Sequence, residues 1–358
     1  MIGHRLKRAR AAAGLSLRDL QANMGTRVTA HAIGTYERDA SVPGSSVLLA
    51  LSDALGVALD SLVGDQDMVL DGVEFRKKHI TRQKDQARVQ ATALHVIERY
   101  VMLEEVLALP SAAWDQPRES PSPMRALADA DRAARCLREP WHVGIDPIPD
   151  LIAWLEARGI KVLGVDSEAR LDALAAHVHR AGREPVRVIV IRTGVPGEQQ
   201  RVHLAHALGH MLMEVAGDDQ CCEQAAHRFA GAFLMPAEAL WSNIGRHRRA
   251  MGWRELFALK EVFGASRQAI TDRCRALGIF PPPLSQRLLR EFARLGYRSA
   301  PNSEPHHLPE EQPGRFERLC DRALAEGALA EPTTAEWLDI TVCELHRRME
   351  DPTAAAGE

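Results

Sequence analysis

Over about the first sixty residues, short runs with apolar positions at helical spacing alternate with glycine breaks. HRLKRARAAAG, SLRDLQANMG, AHAIGTYERD, SSVLLALSDALG and ALDSLVG each follow this pattern and predict a compact bundle of about five helices. Gly14, Gly25, Gly56 and Gly64 stand at the breaks, where a left-handed C-cap is commonest, and Ser16 and Ser45 precede apolar runs as expected N-caps. From about Val73 to Leu109 the spacing predicts one long helix, a connector or a dimerising element. It is basic at its start (Arg76, Lys77, Lys78, Arg82, Lys84) and apolar later (Val89, Leu94, Ile97, Leu103, Val106). PSAAWDQPRESPSPM, residues 110–124, is too rich in Pro and Ser for a regular element and is expected to be a linker or exposed loop.

Beyond the linker, ADADRAARCLREPW and DLIAWLEARG read as helices, and IKVLGVD and PVRVIVIRT, with their β-branched residues, as strands. QRVHLAHALGHMLMEV and EQAAHRFAGAFLMP predict two helices joined by AGDDQCC, with Pro236 ending the second. WRELFALKEVFGASRQAITDRCRALGI adds two helices broken at Gly264. The prolines at 281–283 mark a boundary, the tail to Met349 is helical with one long interruption, and DPTAAAGE is expected to be disordered. The expected fold class is α+β, mostly α. Residues 1–68 form the helical bundle, 69–125 a helical connector and linker, 126–283 a domain with a small sheet, and 284–358 a C-terminal helical region.

At 358 residues the chain is long enough for two or three domains with cores of their own. A net charge of −3 gives no global polyanion-binding signature, so contact with nucleic acid must come from a local patch. There is no charged n-region followed by an apolar h-region and no apolar run of about eighteen residues, so the expectation is a cytoplasmic protein with no membrane partner. The six cysteines form no C-x-x-C pair and are expected to be reduced thiols.

The segment GLSLRDLQANMGTRVTAHAIGTYERDASVP carries Leu15, Ser16, Leu20, Gly25, Ile33, Tyr36, Glu37, Arg38 and Pro43 in a pattern that resembles the helix-turn-helix of the XRE family. Leu17 departs from it, since the family often has Gln there. Ile33 and Leu20 would lock the second and third helices. The resemblance implies that Thr29, His31, Ala32, Gly34 and Thr35 lie on or near the face entering the major groove, with Arg18, Arg27 and Arg38 near phosphates. The partner so implied is a DNA operator, bound by a homodimer, because one module with few base-reading side chains gives little affinity.

His206 and His210, in HLAHALGHMLME, are four residues apart. At that spacing two imidazoles project from one helix face and can share a Zn²⁺ ion. Together Arg201, AHALGHML (205–212) and EQAAHRFAGAFLMP (223–236) resemble the ImmA/IrrE family of zinc metallopeptidases. The resemblance implies a zincin-like domain, Zn²⁺ as cofactor, and Glu223 as the third ligand after His206 and His210. PVRVIVIRT would then be the sheet edge beside the peptidase helix that holds an extended substrate. Glu214 is a rival carboxylate that would have to bend back. His203 and His227 are supporting groups, spare ligands or ordinary exposed histidines, and the adjacent Cys221 and Cys222 point apart.

The family's helix reads H-E-x-x-H, and its glutamate is the general base. Ala207 stands at that position here. Three accounts remain open: an introduced Glu-to-Ala change, a natural pseudopeptidase that binds or senses, and a base moved to Glu214 or Asp218. The implied function is a DNA-binding regulator whose metallopeptidase domain, impaired at Ala207, acts on a partner repressor, antitoxin or toxin. The alternative is a non-enzymatic regulator or antitoxin. The C-terminal helices are assigned to packing or oligomerisation, with a second small helix-turn-helix as the alternative.

Overall fold

The computed structural model describes residues 2–25, 28–57, 59–63, 68–75, 83–110, 114, 122–165, 173–180, 183–215, 218–297 and 306–350. Five helices open the chain: α1 (Ile2–Ala12), α2 (Leu17–Asn23), α3 (Ala30–Glu37), α4 (Ser45–Leu55) and α5 (Leu59–Val63). Ser16 starts α2 in a capping box, accepting from the Asp19 amide at 3.1 Å while Asp19 Oδ2 accepts from the Ser16 amide at 2.8 Å. Thr29 Oγ1 caps α3 by accepting from the Ala32 amide at 3.1 Å. Gly14, Gly25 and Gly56 have φ of +69°, +63° and +64°, so the glycine stops fall as expected, while Gly64 lies outside the described residues. Ser45 is not an N-cap: extended Gly44 holds that place, its carbonyl taking the Val47 and Leu48 amides, and Ser45 is already helical. Leu6, Leu20, Met24, Ile33, Leu51 and Leu62 fill this bundle.

The following elements are β1 (Met68–Phe75), α6 (Gln83–Val106), β2 (Ser122–Met124), α7 (Ala128–Arg138), α8 (Leu151–Ala157), β3 (Lys161–Val165), β4 (Ala173–Arg180) and β5 (Arg183–Arg192). After them come α9 (Gly197–Leu212), β6 (Met213–Val215), α10 (Asp219–Leu234), α11 (Ala237–Ile244), α12 (Trp253–Phe263), α13 (Arg267–Ala276), α14 (Pro282–Arg294), α15 (Arg315–Ala325), α16 (Glu331–Trp337) and α17 (Val342–Glu350). β1, β4, β5 and β3 form one sheet in that order, antiparallel except for the β3/β5 pair, and β2 pairs in parallel with β6.

Four expectations change. The long helix does not begin at Val73, because Met68–Phe75 pairs with β4 and satisfies its backbone there; helix starts at Gln83. The basic residues Arg76, Lys77, Lys78 and Arg82 lie outside the described residues. The run PVRVIVIRT is not a sheet edge: β5 is interior, paired to β4 on one side and β3 on the other. The helix of the histidine pair stops at Leu212, and Met213–Val215 takes up strand pairing with Ser122–Met124, inside what reads as linker. The prolines at 281–283 open α14, whose Leu284, Leu288 and Phe292 sit in the same core as α13, so packing is continuous across that point.

Alternation along the strands divides the interior into two cores. On one face Val162, Ala173, Ala175, Ile189 and Ile191 meet α7 to α10 and the helices up to α14. On the other, Leu163, Leu174, Val178, Val188 and Val190 meet Ile97, Val101 and Leu103 of α6 and Leu319, Cys320 and Ala323 of α15. The expected connector and the C-terminal helices therefore pack on the sheet, which is covered on both faces.

Polar ties hold these layers. Lys161 Nζ lies 3.0 Å from Glu104, which also takes Arg315 at 2.6 Å. Lys260, fully buried, pairs with Glu198 at 2.7 Å. Residues 306–314, in the interruption read from the sequence, form a strap over the start of α9. Gly197 N–H donates to Leu308 O at 3.0 Å, and Gln200 exchanges two 2.8 Å hydrogen bonds with the Glu311 backbone. Glu311 accepts from the Leu151 and Ile152 amides at 2.9 and 3.0 Å, capping α8, and pairs with Arg201. The five-helix bundle rests on this body through α1, whose Arg8 pairs with Glu98 of α6. No helix among the described residues is long and apolar enough to cross a membrane.

Candidate metal centre and nucleic-acid surface

His206 and His210 leave α9 one turn apart, and α10 returns alongside it to bring in Glu223. Gly209 permits this approach. A Cβ there would lie 3.0 Å from Phe229 Cδ1 and 3.4 Å from Ala226 Cα, so the two helices meet where α9 has no side chain. The α10 register is set by Asp218, whose carboxylate caps the helix by accepting from the Cys221 amide at 2.9 Å.

The two Nε2 atoms are 2.9 Å apart, His210 Nε2 is 3.4 Å from Glu223 Oε1, and His206 Nε2 is 3.7 Å from Glu223 Oε2. Tetrahedral ligands 2.0–2.1 Å from a common ion lie about 3.3 Å from one another, so this set fits a zinc-sized cation with little movement. The donor chemistry agrees, two imidazoles and one carboxylate being the open three-ligand set of catalytic sites. His206 is buried, while His210 and Glu223 remain partly open.

The surrounding residues divide. Ala207 is buried in the core beside His206 and presents a methyl group. His227, one turn after Glu223, places its ring 4.4 Å from that of His206, yet the cluster of mutually close ligand atoms comprises His206, His210 and Glu223 without it. Helical spacing from Glu223 is the signal that brings His227 here. His203 lies one turn before His206, half-buried. Glu214 is exposed on β6, and Asp218 is engaged as a helix cap, so neither joins the cluster. None of the six cysteines is in a disulfide; Cys221 is exposed and Cys222 half-buried.

On the helical bundle, Ile33 and Leu20 are fully buried, and Arg18, Thr29, His31 and Arg38 are exposed. Thr35 is half-buried and its hydroxyl donates to His31 O at 2.9 Å. Gly34 is buried: a Cβ there would lie 3.4 Å from Arg38 Nη1 and 3.5 Å from Leu17 Cδ1, so these two side chains cover it. Arg27 lies outside the described residues. Two arginines of the bundle are held in ion pairs, Arg10 by Glu37 at 2.5 Å and Arg8 by Glu98.

Residues 156–275 match the family model described as IrrE N-terminal-like domain, and residues 2–63 match one described as helix-turn-helix domain. No curated protein and no solved structure matches the chain. Fold and matches together define a regulator: a helix-turn-helix DNA-binding domain joined to a peptidase-like domain. The latter is of the IrrE/ImmA kind, a metallopeptidase family, which suggests a metal.

Proposed function

We propose that the chain is a DNA-binding transcriptional regulator whose zincin-like domain holds Zn²⁺ on His206, His210 and Glu223 and engages a partner repressor, antitoxin or toxin. The convergence of these three side chains from two helices supports the reading. Bound there, zinc would supply Lewis acidity toward a carbonyl. Ala207 can neither hold nor move a proton, and a general base is worth about 10² to 10⁴ in rate, so cleavage by this chain is strongly impaired while metal binding is retained. The buried methyl at 207 favours a second reading, a regulator whose zinc fold binds or senses without cutting.

Metal analysis of protein purified without chelator tests the first step, and stoichiometric zinc is expected in wild type but not in His210→Ala. Its absence from wild type would sink the ligand assignment. Ala207→Glu then separates the two readings: cleavage of a repressor encoded beside the gene is expected if the peptidase ancestry is functional, and no cleavage leaves the non-enzymatic regulator. For the DNA-binding half, salt-dependent retardation of the gene's own promoter region should weaken in Arg38→Ala.

A further inference from the structure

The chain as a whole is slightly acidic, yet its charge is unevenly placed. Residues 237–297 carry eleven Lys and Arg against five Asp and Glu, a surplus of six, so the rest of the chain has a deficit of nine. The surplus is largely at the surface. Lys260, Arg267 and Arg273 are buried, whereas Arg246, Arg249, Arg254, Arg287, Arg290 and Arg294 are exposed with no ion pair among the described residues. Of the five acidic groups, two are in ion pairs: Glu255 holds Arg248 at 2.6 Å and Asp272 holds Arg275 at 2.9 Å. Glu238 is half-buried on α11, Glu261 is exposed on α12, and Glu291 is half-buried on α14, about 40° of arc from Arg287.

Three of these arginines share one line. Positions 287, 290 and 294 fall within about 60° of arc on α14, opposite Leu284, Leu288 and Phe292, and span about 10 Å along the axis. A DNA strand places one phosphate per about 3.4 Å of duplex axis, so a line of that length matches about three phosphates. The loop bearing Arg246 and Arg249 lies beside this helix: Arg248 N–H donates to Ile279 O at 2.9 Å just before α14, and Trp253 meets Phe292 edge-on with ring centroids 5.6 Å apart.

We propose that the arginine face of α14, extended by the loop carrying Arg246 and Arg249 and by Arg254 at the start of α12, binds the phosphate backbone of double-stranded DNA. It thereby adds sequence-independent affinity to a helix-turn-helix of which Arg8 and Arg10 are engaged in ion pairs. This rests on the DNA-binding reading above. Phosphate contacts position and strengthen without reading bases, which suits a surface of arginines on a domain outside the helix-turn-helix.

The experiment measures binding of the full chain to a random-sequence duplex of about 30 base pairs by fluorescence anisotropy, across a fourfold range of salt. Each phosphate contact contributes about 0.9 to the slope of log affinity against log salt, so Arg287→Gln/Arg290→Gln/Arg294→Gln should lower the slope by about 2.7. Over the salt range that is about a 40-fold smaller loss of affinity. These side chains are exposed, and an unchanged circular dichroism melt verifies the fold. The triple Lys variant should keep the wild-type slope, and Arg18→Gln/Arg38→Gln should keep the α14 share. If wild type binds but its slope survives the Gln substitutions, the α14 proposal is overturned and the DNA-binding reading stands. Loss of binding to polyglutamate with an unchanged DNA slope overturns it in favour of an acidic protein partner. If wild type binds no DNA, both fall.

Discussion

Gly209→Ala tests whether close packing of α9 on α10 builds the candidate metal centre. Removing a glycine from a helix interior favours folding by roughly 0.5–1 kcal/mol. Against this, the new methyl would sit 3.0 Å from Phe229 Cδ1, 3.3 Å from its Cγ and 3.4 Å from Ala226 Cα. Carbon atoms prefer about 3.5–4.0 Å. Phe229 is fully buried and stacked on Phe233 at 5.7 Å between centroids, and Ala226 Cα is backbone, so neither can turn aside. Overpacking of this kind costs typically 1–3 kcal/mol, so the net expectation is a loss of about 1 kcal/mol. Gly209→Val, which forfeits most of the propensity gain and adds two more methyl groups, should lose about 3 kcal/mol. Relief comes from moving α10 away by a few tenths of an ångström, more than a metal site tolerates, so zinc affinity should fall by about tenfold in the Ala variant. Urea unfolding with and without chelator gives the stabilities, and competition with a chromogenic chelator gives the affinity. A Gly209→Ala protein more stable than wild type by about 1 kcal/mol, with unchanged zinc affinity, would refute the argument.

Other perturbations test the supporting structure. His95 on α6 faces the α1 seam, and burial first, then Arg99 and Arg8, lowers its pKa from 6.5 to about 4. It stays neutral in the fold while the unfolded chain takes up a proton. Its contribution is therefore complete above pH 6.5 and is lost as pH falls toward 4, by on the order of 3 kcal/mol. His95→Gln should flatten that part of the stability profile in urea titrations between those limits. Lys260→Met leaves Glu198 buried beside His307 and should cost about 3–5 kcal/mol, with much of the loss recovered in Lys260→Met/Glu198→Met. Recovery should be absent if the pair is incidental. Glu311→Gln removes the charge that caps α8 and neutralises Arg201, and a thermal melt should show about 3 kcal/mol lost. A melt like that of wild type would mean the strap is not anchored as described.

The five short helices and the His206/His210 pair were legible because they depend on local spacing, and Ser16, Gly25 and Ile33 act within a turn or two of themselves. Glu223, on the next helix, was reached only through the family resemblance, as was the helix-turn-helix. Non-local pairing hid the rest. β4, ALAAHVHR, has alanines that suit a helix, and it is a strand because β1 and β5 flank it. The same competition turned Val73–Phe75 from helix to strand. Gly34, read as on or near the groove face, is covered by the Arg38 guanidinium and by Leu17, which stands in the position the family often gives to Gln. The strap was invisible for another reason: Glu311 serves Leu151, Ile152 and Arg201, each more than a hundred residues away.

The sheet's two filled faces bear on how a metal would behave here. The helix carrying both histidines is fixed by a core of apolar side chains running from α7 to α14. A zinc finger, by contrast, acquires its fold from the metal. On such a core, loading of the domain with a metal would be an ordinary ligand equilibrium, worth about 2.7 kcal/mol at a hundredfold excess over Kd. Stripping the cation should leave a folded protein that can be reloaded, so occupancy can rise and fall with supply without passing through the unfolded chain.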